Sequence, residues 1–141
     1  MKTPLKIAIA GLGTVGAGTL QLLQRQAELL AMRAGRPLVV TAVSARDRRR
    51  DRGADLSAAR WYDDAAALAA DPEVDVVVEL IGGAEGVGRR VVETALTSKG
   101  RPARIARCSP WRWSSCNVPA PTVPSPAMAI LSGVFKHILR R

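Results

Sequence analysis

No aspartate or glutamate occurs after Glu93, and that absence decides how the charge of the chain is read. Residues 1–93 hold all 12 acidic residues and 13 basic ones, a balance of +1, whereas 94–141 hold 8 basic residues and no acid. The net charge of +9 therefore belongs to the tail, and no folded basic face supports nucleic-acid binding. Cysteine is confined to Cys108 and Cys116, a spacing that fits neither a zinc site nor a redox pair and excludes a disulfide framework. His137 is the single histidine. Together with the lack of paired carboxylates, this leaves no Ser-His-Asp, metal or acid–base constellation to argue for. No segment reaches the roughly 20 apolar residues needed to cross a bilayer. Lys2 and Lys6 precede an apolar stretch in the manner of a secretory signal, but Gly11 and Gly13 interrupt it and no cleavage site follows. The expectation is a soluble, cytoplasmic protein with reduced thiols and no membrane partner.

Against these absences stands one dense signal. Leu5 to Ala10 is a compact apolar run suited to a strand buried on both faces, and it leads directly into Gly11-Leu12-Gly13-Thr14-Val15-Gly16. From Thr14 the apolar residues change to helical spacing, with Leu20, Leu23, Ala27 and Leu30 on one face. Strand, Gly-x-Gly-x-x-Gly turn and helix in succession form the dinucleotide fingerprint. Gly11 permits the tight turn, Gly13 lets backbone approach a pyrophosphate, and Gly16 lets the helix pack closely with its N-terminus facing the phosphates. The alternative is a glycine-rich turn with no ligand.

The first helix is expected from about Thr14 to Arg33, capped by Gly35 and stopped by Pro37. Leu38 to Ser44 reads as a second strand, Arg46 to Gly53 as a charged loop, and Arg60-Trp61-Tyr62 as a short third strand. Asp63 is placed to cap a helix running through Ala70. Val74 to Ile81 is the strongest strand signal and ends at Gly82-Gly83. A helix over about Glu85 to Thr97 should then turn Val91, Val92, Ala95 and Leu96 inward. Alternating strands and helices predict an α/β fold, a Rossmann-type doubly wound parallel sheet with right-handed crossovers, over residues 1–99.

After Gly100 the pattern breaks. Arg101 to Arg107 shows neither an apolar run nor clean alternation, so no fifth strand is expected and the sheet is left incomplete. Six of the nine prolines fall within 102–126, and only Ala127 to Leu139 regains apolar density, enough for a short helix. Residues 100–141 are thus predicted to be a largely irregular basic tail. Trp111 and Trp113 flank Arg112 and could stack on bases, but an irregular basic tail is the better account of them. Without a fifth strand the fourth would present an open apolar edge, which predicts marginal stability or self-association through that edge.

At the end of the second strand an NAD-preferring site places a carboxylate against the ribose hydroxyls. Here Ser44 and Ala45 are followed by Arg46, and a guanidinium can bind the 2′-phosphate that a carboxylate would repel. Arg46, with Arg48 in reserve, points to NADP; if the arginines are only a solvated loop, Asp47 reaches the ribose of NAD. Gly82-Gly83 lies at the carboxyl edge of the sheet, where backbone can approach a nicotinamide ring. Glu79 lies inside an apolar strand, either held by backbone donors or set at the ligand edge.

Three landmarks in order, Gly11–Gly16, Val43-Ser44-Ala45-Arg46-Asp47 and Val77-Val78-Glu79-Leu80-Ile81-Gly82-Gly83, resemble the N-terminal nucleotide-binding domain of homoserine dehydrogenase over about residues 4–99. The resemblance implies interconversion of L-homoserine and aspartate semialdehyde with NADP or NAD. It implies that Gly11, Leu12, Gly13, Thr14, Val15 and Gly16 hold the pyrophosphate, Arg46 meets the adenosine ribose or its phosphate, and Ile81, Gly82 and Gly83 approach the nicotinamide. Its departures are equally definite. The family's strand ending in Thr-Ala-Asn-Lys is missing after Ser98-Lys99-Gly100, so Lys99 takes no catalytic role and no catalytic residue is assigned. Ala129 to Gly133, with His137-Ile138-Leu139, only faintly echoes a later family segment. The family's substrate domain does not fit in this length, so the fragment alone is expected to be inactive. The tail's composition is what out-of-frame reading of GC-rich coding DNA produces. A non-catalytic nucleotide-binding module with a basic, partner- or nucleic-acid-binding tail is the alternative.

Overall fold

Strand β1 (Leu5–Ala10) presents large apolar side chains on one face and alanines at positions 8 and 10 on the other, and that difference organises the layers around it. In the computed structural model, which describes residues 3–82, 85–97 and the backbone of 104–107, Leu5, Ile7 and Ile9 enter one core and Ala8 and Ala10 the other. The large side pairs with Leu12, Leu20, Leu23 and Leu30. These come from the glycine turn and from helices α1 (Thr14–Arg25) and α2 (Ala27–Ala34). The small side accepts α3 (Ala65–Ala69) and α4 (Val87–Thr97) through Ala65, Leu68, Val91 and Ala95. Alanines on the strand allow the helices to lie close, and bulk returns from Leu68 and Val91. Truncating Ile9, which is fully buried, to Ala would cost about 3 kcal/mol.

The remaining strands are β2 (Leu38–Ser44), β3 (Arg60–Tyr62), β4 (Val76–Glu79) and β5 (Arg104–Arg107). All pairings are parallel and the order is β3-β2-β1-β4-β5, the doubly wound arrangement expected from the alternation of elements. The chain order reverses between β1 and β4, which places a crevice at their carboxyl ends. Between Ile7 and Ala8 the register of β1 on β2 shifts by one residue, so Thr41 is an extra residue in β2. Beyond this bulge Ala10 faces Ser44, and the Gly11 N–H reaches the Ser44 carbonyl at 2.8 Å.

Several expectations are corrected. The fifth strand exists: the backbone of Arg104–Arg107 pairs with Val76–Glu79. Strand pairing is satisfied by backbone groups, so an edge strand needs no apolar run; β4 is therefore covered, and the expectation of association through its bare edge loses its stated basis. The single helix over 14–33 is two, because Gln26 leaves helical geometry at φ −111° and ψ 25° between α1 and α2. Ala27, placed on the inward face, is exposed as a result. Asp64, not Asp63, caps α3, accepting the Ala66 N–H at 2.9 Å, while Asp63 accepts from the Trp61 indole at 3.1 Å. On α4, Val91 and Ala95 are buried, Val92 is half-buried and Leu96 is exposed, because the helix starts at Val87 and its inward face is narrower than expected. Gly35 ends α2 as expected, left-handed at φ 68°, with Arg36 N–H donating to the Ala31 carbonyl at 3.1 Å. The expected tail helix, Cys108, Cys116, Trp111, Trp113 and His137 lie outside the described residues.

Candidate functional site

The fingerprint turn closes at the carboxyl end of β1 under two backbone constraints. Gly11 sits at φ 100°, and a Cβ there would stand 2.7 Å from the Leu80 carbonyl carbon and the Ile81 nitrogen. The turn after β1 is thus packed against the turn after β4 with no room for a side chain. At Gly16 an added Cβ would fall 1.9 Å from the Gly11 carbonyl oxygen, so α1 can start this close to the strand only with glycine. Gly13 differs from both: it has extended backbone, φ −70° and ψ −160°, and a Cβ there would meet nothing within 4 Å. Its side is open.

Gly13 caps α1 without any side-chain hydrogen bond, and no acidic residue occupies the first turn. The first helical N–H groups follow at Thr14, Val15 and Gly16, while Ala17 N–H already bonds back to the Gly13 carbonyl at 2.9 Å. Gly13, Thr14 and Val15 are exposed and Leu12 is buried beneath them. Free amides at a helix N-terminus, with the helix dipole behind them and no acidic residue in the first turn, suit a phosphate group. The residues present therefore fit a dinucleotide's pyrophosphate.

Across the crevice, Glu79 is fully buried at the end of β4. Its Oε1 accepts the Ile81 N–H at 2.8 Å and the Gly82 N–H at 3.0 Å. This resolves the two roles left open for Glu79: it fixes the turn with backbone donors. Gly82 is left-handed at φ 80° with open space where a Cβ would be. The Leu80–Ile81 peptide thus packs against Gly11 and Gly82 follows it, while Gly83 lies outside the described residues.

The third part is the loop after β2. Arg46 is exposed and makes no hydrogen bond or ion pair with the described residues. Asp47 uses one carboxylate oxygen to accept the Arg49 N–H at 2.9 Å. Arg48 lies 5.7 Å from the Trp61 ring centre. Arg52, which sequence reasoning left within an undifferentiated charged loop, is the buried one. Its guanidinium donates to the carbonyls of Leu12 at 3.1 Å, of Arg50 at 2.6 Å and of Asp47, and lies 5.4 Å from the Trp61 ring centre. Gln21 of α1 donates to the Arg52 carbonyl at 2.6 Å. Among five arginines between 46 and 52, nothing in spacing marks Arg52; the Trp at position 61 is the signal that could have found it.

β3, which carries Trp61, is held from its far side. Arg60 reaches Asp71 at 3.2 Å and Glu73 at 3.1 Å, and the Tyr62 hydroxyl donates to Asp71 at 2.7 Å. Burial pushes the Asp71 carboxyl up, but the Glu73 N–H, the Tyr62 hydroxyl and the charges of Arg60 and Lys6 outweigh it, so its pKa lies below the usual aspartate value. Among the described residues no group of His, Cys, Asp and Glu could hold a metal ion, and no helix is long and apolar enough to cross a membrane.

The family model for the NAD-binding domain of homoserine dehydrogenase matches residues 11–100. Homoserine dehydrogenase of Pseudomonas aeruginosa is 49% identical over 82 residues, covering 57% of this chain and 18% of that protein. That of Methylobacillus glycogenes is 44% identical over 80 residues, covering 57% of this chain and 19% of that protein. The crystal structure of a homoserine dehydrogenase from Thiobacillus denitrificans superposes with a TM-score of 0.65 at 33% identity, over 74% of this chain and 23% of that one. The chain thus spans under a fifth of the length of these two curated relatives.

Proposed function

The chain belongs to the homoserine dehydrogenase family through its NAD-binding domain, and from that premise we propose that it is the cofactor-holding portion of an oxidoreductase acting on L-homoserine and aspartate semialdehyde. The observation that carries this is the open N-terminus of α1 at Gly13, where no side chain caps the helix, set where the chain order reverses between β1 and β4. The pyrophosphate lies on the amides of Gly13 to Gly16, the adenosine runs toward the loop after β2, and the nicotinamide lies toward Ile81 and Gly82. A bound nicotinamide supplies hydride transfer at its C4; the residues of this chain only bind and orient it.

Arg46 carries the cofactor preference. Exposed and without a partner among the described residues, it is free to take a 2′-phosphate through paired hydrogen bonds, which favours NADP over NAD. Asp47 is the weaker rival because one of its oxygens already serves its own loop. The nucleotide-binding portion holds and orients the cofactor, and the chain by itself is expected to be inactive. Purified residues 1–141 should bind NADP saturably and reduce none in the presence of homoserine. Homoserine-dependent NADPH formation would overturn the inactivity, and a folded chain that binds neither NADP nor NAD would overturn the cofactor reading.

A further inference from the structure

Arg52 is a buried cation with no carboxylate partner among the described residues. Its contacts are three carbonyl oxygens and an indole ring, drawn from three places: Leu12 in the fingerprint turn, Asp47 and Arg50 in the loop after β2, and Trp61 on β3. Removing a guanidinium from water without a counter-ion is costly, and only several charge-assisted hydrogen bonds offset it. The same loop carries Arg46, Arg48, Arg49 and Arg50 against Asp47 and Asp51, so it holds excess positive charge around a backbone fixed by another cation. The outward arginines of such a loop suit an anion.

We propose that Arg52 is a positioning residue for cofactor selection: by tying the Asp47 and Arg50 carbonyls to Leu12, it holds Arg46 and Arg48 where they meet a phosphate on the adenosine ribose. Arg52 itself faces inward and touches no cofactor. Arg48 shares the Trp61 ring with it, so both arginines are registered against one rigid aromatic surface. Loss of Arg52 frees the loop and removes the discrimination that the outward arginines provide. This rests on the cofactor reading above.

The test is calorimetric titration of the full 141-residue chain with NADP and with NAD, for wild type, Arg52→Gln and Arg52→Lys, alongside thermal unfolding. For Arg52→Gln the NADP-to-NAD affinity ratio should fall about tenfold, the equivalent of about 1.4 kcal/mol. Arg52→Lys keeps the charge but not the fork, and its ratio should fall by a smaller factor. A purely structural residue would weaken both cofactors alike, so an unchanged ratio in Arg52→Gln overturns the proposal. Should Arg52→Gln not fold, an unchanged ratio in Arg52→Lys does the same. Wild-type chain that binds neither cofactor would instead defeat the underlying cofactor reading.

Discussion

The turn at Gly11–Gly16 and the loop at Arg46–Arg52 leave neighbouring strands, β1 and β2, at the same edge of the sheet, yet they are built on different principles. The turn is specified by the absence of side chains: Gly11 and Gly16 have no room for a Cβ, and Gly13 has nothing around it. The loop is specified by which of several identical side chains turns inward, and Arg52 does so by finding three carbonyls and the face of Trp61. A steric requirement leaves its mark on the amino-acid pattern; a choice among arginines made by tertiary contact does not.

The largest effect expected from this contrast is at Gly16. Gly16→Ala should destabilise the chain by about 3 kcal/mol in urea unfolding, because the new methyl collides with the Gly11 carbonyl. A change below about 0.5 kcal/mol would show that the close packing of α1 is not required. On the loop side the losses should be smaller. Arg52→Gln should cost about 1–2 kcal/mol, since its hydrogen bonds end on carbonyls that water can partly reach once the loop loosens. If it cost as much as Gly16→Ala, the division between a sterically fixed turn and a loop organised by side chains would fail.

The smallest effect tests the support behind Trp61. Because the Asp71 pKa is lowered in the folded chain, its contribution to stability is present above the unfolded value near 3.8 and is lost as pH falls through the folded value. Asp71→Asn should therefore lower the melting temperature at pH 7, and the difference from wild type should shrink as pH falls below about 3.8. A difference that persists undiminished at pH 3 would mean that the carboxylate's charge plays no part.

Much of the fold was legible in the sequence. The compact apolar run Leu5–Ala10, the run of valines in β4 and the left-handed glycine at Gly35 each follow from a local rule that the structure obeys. The break at Gln26 was not legible, because glutamine is a good helix former. Strand β5 was missed for a related reason: its place depends on the open backbone edge of β4, which no reading of Arg104–Arg107 alone reveals. In the site, the glycine turn was readable and so was the turn at Ile81-Gly82 that follows β4. The interior role of Glu79 followed partly from the cost of burying a carboxylate. In the loop after β2, Arg46, Arg48, Arg49 and Arg50 are all exposed, and nothing in their spacing marks Arg52 as the inward one.

The central claim is that the open face at Gly13 is where a dinucleotide lies, and it can be separated from stability because a side chain there meets nothing in the fold. Titrating NADP into wild type and Gly13→Val, with melting temperatures measured on the same samples, addresses it directly. The account predicts saturable binding by wild type, and a variant that melts like wild type yet has lost most of its affinity. A Gly13→Val chain that folds normally and binds NADP as tightly as wild type would contradict it.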